Sequence, residues 1–276
     1  MASNRVIYPK VLADLIIRER HGQLYTFLGD DKNVVRRMCD EINETYPDYP
    51  YKFNYLTEIE RIGLPVGAGT ILMKYIHQFE SETCRAALLP SVYPDRKIIP
   101  GLDRTILDLY YHFRASSFYL LSPGCTPERP VVGSGHIYIA YDNALKWATT
   151  RKTLPEVLEL LKCRREVYIL SITERTIAKK WAPPELGEIM AAHLMNTSVT
   201  KSDVCLPETG ICLPNFEWLV DETCYNAIAC LRYYPSKENL EIIRGYISHK
   251  NKELGKCAEK YAQIIEKKLM EAQAGE

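Results

Sequence analysis

A chain of 276 residues can form one elongated domain or two compact ones, and 46% hydrophobic with 25% charged residues is the balance of a folded protein, which excludes general disorder. Thirty-five Lys plus Arg offset thirty-five Asp plus Glu, so no global field draws the chain to a phosphate backbone or an anionic membrane. The opening MASNRVIYPK has no apolar stretch with a cleavage site, and no later run is apolar for long enough to span a bilayer. With nine scattered cysteines read as reduced thiols, the expected compartment is the cytoplasm.

The predicted elements begin at residues 9–20, where Val11, Leu12, Leu15 and Ile16 recur at helical spacing before His21-Gly22 stops the run. A short helix over 23–27 follows. The acidic turn GDDKN then leads into a helix carrying Val34, Val35, Met38 and Ile42. TYPDYPYKFNY at 45–55 has two prolines and five aromatics, which predicts a packed loop. Glycines of the run 63–70, GLPVGAGT, open the next helix; with no Lys-Ser/Thr and no preceding strand they read as a helix entry rather than a phosphate cradle. Residues 70–79 and 84–92 then make a helical hairpin, and Ile106, Leu107, Tyr110 and Tyr111 mark a helix over 103–113.

Residues 116–135 collect three prolines and three glycines, predicting a long loop or a short β excursion. Beyond it the chain repeats itself. Laying Tyr138-Ile139-Ala140 over Tyr168-Ile169-Leu170 brings Pro155-Glu156 within one position of Pro184-Glu185, an offset of about thirty residues that suits stacked helix pairs. Thr153-Leu154-Pro155-Glu156 has the form of a capping box. A third copy spans 221–249, and a last helix from Asn251 has an apolar stripe and a dense Lys/Glu face. Leu240, Ile243, Ile247, Leu254, Tyr261 and Ile265 are the expected core of this end.

GDDKNVVRRMCDEI at 29–42, ESETCRAALLPSV at 80–92 and the whole of 225–265 resemble HEAT-like (HEAT/armadillo) helical repeats. The resemblance implies a mainly α fold: an α-solenoid of antiparallel helix pairs with irregular loop insertions. N-terminal repeats would occupy 1–115, the loop or β excursion 116–135, and C-terminal repeats 136–276 with an insertion near 196–216. It implies a non-enzymatic scaffold or adaptor with a concave surface for a protein partner, and transfers no catalytic residue. Trp147, Trp181 and Trp218, about one per unit, are the candidate partner-binding residues, because aromatics are enriched at interface centres; the alternative is that they are large core pieces between helices.

Catalytic readings are weighed beside this. LYYHFRASSFYLLSPG, GHIYIAY and REVYILSI could be three strands, and over 110–172 their order resembles the ADP-ribosyltransferase family. That resemblance would place NAD against His112 and Tyr138, but no later strand offers a catalytic Glu. Helical-repeat enzymes acting on nucleic acid use groove tryptophans with a carboxylate; the neutral net charge argues against nucleic acid as partner. Cys205, Cys212, Cys224 and Cys230 miss the spacing of a zinc knuckle and read as buried thiols, so neither metal nor cofactor is expected outside the NAD alternative.

Overall fold

A computed structural model describes residues 31–80, 82–116, 134–204 and 217–274. The described chain is mainly helical and contains no strand among those residues. The helices expected over 9–20 and 23–27, most of the 116–135 excursion, and Cys205 and Cys212 lie outside the described residues. Two compact units are distinguishable: residues up to 116 together with 134–148, and the residues from 149 onward.

The first unit contains α1 (Asp31–Thr45), α2 (Leu56–Ile62), α3 (Gly69–Ile76), α4 (Glu82–Val92), a 3-10 turn (Tyr93–Asp95), α5 (Leu102–Ser116) and α6 (Ser134–Ala148). Val34, Val35, Met38, Cys39 and Ile42 form the buried stripe of α1, which packs on α3. α4 packs on α2, α3 and α6, while α5 packs on α6. Pro90 near the end of α4 removes one helical N–H, and the chain tightens into the 3-10 turn three residues later. The loop expected to be packed over 45–55 is packed only in part: Phe53 is buried and Tyr46 and Tyr49 are half-buried, while Tyr51 and Tyr55 are exposed. Asn43 pairs with both backbone groups of Phe53, donating to its carbonyl at 2.8 Å and accepting its N–H at 2.9 Å, and the buried Phe53 ring stacks on Tyr49. Tyr110, Phe113, Tyr138 and Tyr141 make an aromatic core in which Phe113 and Tyr141 stack at 4.5 Å.

The second unit contains α7 (Leu154–Leu160), α8 (Arg164–Ile169), α9 (Ser171–Trp181), α10 (Pro184–Met195), the short α11 (Lys201–Val204), α12 (Glu217–Leu231), α13 (Lys237–Arg244) and α14 (Lys252–Ala274). α12 is its axis. It packs on α8, α9, α10 and α14, and eight of its residues from Thr223 to Leu231, all but the exposed Tyr225, are buried. A helix buried on most of its circumference needs apolar or small residues there, which is what Thr223, Cys224, Ala227, Ala229 and Cys230 provide, while Glu222 and Tyr225 mark its exposed face. Tyr234 touches Gly187 while Cys224 faces Tyr246, whose hydroxyl binds Leu194, so α10 runs antiparallel to α12. Asn251 reaches Asp221 and Lys268 reaches Arg232, so α14 runs parallel to it.

Three expectations change here. Thr153 makes no capping bond to α7; its hydroxyl instead accepts the Thr150 N–H at 3.0 Å within the preceding turn, although Pro155 does fall in the first helical turn. Ile247 is 41% exposed, whereas Leu240, Ile243, Leu254 and Ile265 are buried and Tyr261 is half-buried. The reason is that α13 ends at Arg244, so the 3.6-residue stripe stops before Ile247 and Tyr246 turns inward in its place. Finally, the strand reading of 110–172 gives way to helix at α5, α6, α8 and α9 wherever those residues are described.

Candidate functional site

The glycine-rich entry to α3 is a built anion cradle whose anion comes from the chain itself. Gly67 N–H donates to both Asp95 carboxylate oxygens at 3.0 Å, and Gly69 N–H donates to Oδ2 at 2.7 Å. Gly67 has φ +93°, a region open to glycine, and a Cβ on Gly69 would lie 2.8 Å from the carboxylate. Asp95 is buried and fills the place at the helix N-terminus where a phosphate oxygen would otherwise sit.

In the second unit the opposite arrangement occurs around Arg164, which opens α8. Its backbone N–H donates to Asp203 Oδ1 at 2.7 Å, satisfying a free donor at the helix start. Its guanidinium donates to the carbonyls of His193 at 3.2 Å, Ser198 at 3.4 Å and Asn196, around the end of α10. The Leu194 carbonyl accepts from Tyr246 at 2.6 Å. His193 Nε2 donates to Leu161 O at 2.8 Å, so this buried ring carries its proton on Nε2. Burial lowers the His193 pKa, with Arg164 adding to the effect, and the ring is neutral near pH 7. Burial alone would raise the Asp203 carboxyl; hydrogen bonds from Thr200 and Arg164 outweigh it and hold the pKa below its ordinary value. The arrangement ties the ends of α8, α10 and α11 to α12, because Thr223 Oγ1 lies 3.2 Å from Arg164 O and Asn226 donates to Val167 O. Arg164, His193, Asp203 and Thr223 are buried and bond to other parts of the chain, while Asn196, Ser198 and Thr200 lie at the surface, so the buried groups serve the fold.

The thiols of Cys39, Cys163, Cys224, Cys230 and Cys257 are not low-pKa nucleophiles. Burial pushes Cys39 up to about 12 and Cys163 and Cys257 to about 11, and it raises Cys224 and Cys230 as well. No group of three or more His, Cys, Asp or Glu side chains among the described residues is arranged to hold a metal ion. No described helix is long and apolar enough to cross a membrane. His112 is exposed on α5, while Tyr138 is buried on α6 with its ring edge against Phe113 at 5.6 Å.

The three tryptophans are all half-buried but have different neighbours. Trp147, in the first unit, meets Tyr93 edge-on at 5.7 Å. Trp218, at the start of α12, meets Tyr168 edge-on at 5.1 Å. Trp181, the last residue of α9, instead has cations against its ring, with Lys180 Nζ at 4.3 Å and the Arg151 guanidinium at 5.8 Å. Sequence reasoning missed a second such cluster. The Arg232 guanidinium lies 4.7 Å from the Tyr233 ring and 5.3 Å from the Tyr261 ring, and it donates to both hydroxyls. Lys260 and Lys268 complete it, the latter donating to Arg232 O at 2.7 Å. The adjacent Arg-Tyr-Tyr at 232–234 and the Tyr-to-Lys spacing of seven along α14 were the available signals.

Comparison with known proteins finds no match to the chain among family models, curated proteins or solved structures.

Proposed function

We propose that this chain is a non-enzymatic adaptor that binds a protein partner on a surface of paired helices in its second unit, with Trp181 at the centre of the contact. The observation that carries the reading is the half-buried Trp181 ring flanked by Arg151 and Lys180, neither of them ion-paired among the described residues. Trp and Arg are the residues that most often concentrate binding energy at interface centres. Trp147 and Trp218 are spent on ring contacts within the fold and contribute less. α10 against α12 and α13 against α14 supply antiparallel pairs of the kind an irregular helical array uses, although α12 meets more neighbours than a strict one-dimensional stack allows. The same reading gives the protein no cofactor and a cytoplasmic setting.

The test is affinity capture from cell extract with the full chain, comparing wild type, Trp181→Ala and Lys256→Ala. Lys256 pairs with Glu253 on the exposed face of α14 and serves as the control. A partner held by wild type and Lys256→Ala should be lost with Trp181→Ala, by at least about tenfold for a central anchor. A partner retained equally by all three refutes the assignment of Trp181.

A further inference from the structure

Trp181 lies three residues before α10 begins, and Gly187 in α10 touches Tyr234 just beyond the end of α12. The ends of α9 and α12 therefore lie at the same end of the second unit. α14 runs parallel to α12 and brings Tyr261 and Lys268 to Arg232 at that end. This end thus carries both cation–aromatic clusters: Arg151 and Lys180 on Trp181, and Arg232, Lys260 and Lys268 on Tyr233 and Tyr261.

None of these five cations is ion-paired among the described residues. Lys162, Arg244 and Lys256 are neutralised by Glu159, Glu266 and Glu253, and Lys267, beside Lys268, by Glu271; Lys179, Lys237, Lys250 and Lys252 are, like the five, not ion-paired among the described residues. Exposed carboxylates at the same end are Glu185 and Glu188 in α10, Glu238 in α13 and Glu271 in α14, the last taken up by Lys267. Glu185 and Glu238 sit in the first turns of their helices, where the dipole offsets them, and Lys237 stands beside Glu238. A cation set against an aromatic face is held in place before a ligand arrives, which lowers the ordering cost of binding.

We infer that the partner segment docking at the Trp181 end of the second unit is an acidic peptide, held between the Arg151–Lys180–Trp181 cluster and the Arg232–Lys260–Lys268 cluster. The inference rests on the partner-binding reading above and adds the chemistry of the occupant. Charge complementarity selects it: the cations are unneutralised, and the interleaved rings supply apolar contact for residues between the acids. Nucleic acid is the weaker fit, because the cations form two compact groups within a chain of zero net charge instead of a continuous basic track.

The experiment is fluorescence anisotropy of a short labelled Asp/Glu-rich peptide with the full chain, beside a Lys-rich peptide and a single-stranded oligonucleotide of equal length. Variants are Arg151→Gln/Lys180→Gln, Lys260→Gln/Lys268→Gln and, as control, Lys256→Gln. The acidic peptide alone should bind, with affinity falling as salt rises and dropping at least about fivefold in each double variant but not in the control. Absence of acidic-peptide binding, tighter binding of the oligonucleotide, or indifference to both double variants overturns the inference. A captured partner that depends on Trp181 while the acidic peptide fails would leave the adaptor reading standing and remove only the acidic occupant.

Discussion

Asp95 in the first unit and Arg164 in the second solve the same problem with opposite charge. A helix start leaves N–H groups without partners and a helix end leaves carbonyls. At the start of α3, a buried carboxylate collects the N–H groups of Gly67 and Gly69; around the end of α10, a buried guanidinium collects the carbonyls of His193, Asn196 and Ser198. Each charge also complements the partial charge of its helix terminus. The difference lies in reach. Asp95 closes one turn onto one helix entry, whereas Arg164, through its side chain and both backbone groups, joins segments around 193–203 and 223. At these two sites a buried charge satisfies a helix end, whereas the buried Arg165 and Glu166 pair with each other at 3.1 Å.

Arg164→Met should break the comparison hardest. It keeps the apolar stem but takes away the buried charge and the donors to the carbonyls of His193, Asn196 and Ser198, and a cost of about 3–5 kcal/mol is expected in denaturant melts. A cost near that of a surface change would mean that the α10 end finds other donors.

Asp95→Ala should cost somewhat less, about 2–4 kcal/mol, because it orphans the buried Gly69 N–H and the half-buried Gly67 N–H in one loop. It should also leave an open anion cradle at α3, so that added phosphate recovers part of the loss; no recovery would show that the loop collapses instead.

His193 sharpens the contrast through pH. Its folded pKa lies below the ordinary 6.5 because burial and Arg164 disfavour the charged ring. As pH falls below about 6.5 the unfolded chain therefore takes up the proton first, and stability drops until the folded pKa is reached, while above 6.5 this residue contributes no slope. His193→Gln should flatten that acid limb in melts recorded across pH 4–7, which span the ordinary value of 6.5. Lys256→Ala, on the wet face of α14, should move stability by less than about 0.5 kcal/mol and sets the baseline for all three.

Helices were legible because periodicity reports burial directly: Val34, Val35, Met38 and Ile42 in α1, or Leu240 and Ile243 in α13, carry their stripe in the sequence and are buried in the fold. Ile247 was misread because periodicity carries no information on where a helix stops, and Arg244-Gly245 ends this one. Thr153 was misread because a motif for one hydrogen bond can be satisfied by another nearby. The Asp95 cradle and the Arg164 clasp were invisible for a different reason: their partners lie 26 to 59 residues apart, and no local spacing announces a buried charge serving a distant helix end. At Trp181 the residue and its neighbour Lys180 were visible in the sequence, but Arg151 was not, because it comes from the turn before α7.

The account turns on separating a residue that holds the fold from one that holds a partner. The most direct test is to carry Arg164→Met and Trp181→Ala through the same two measurements, a denaturant melt and partner capture at a temperature where both variants are folded. Arg164→Met should lose stability and, while folded, keep the partner; Trp181→Ala should keep most of its stability and lose the partner. A folded Trp181→Ala that captures as well as wild type, or a folded Arg164→Met that is as stable as wild type yet fails to capture, would contradict it.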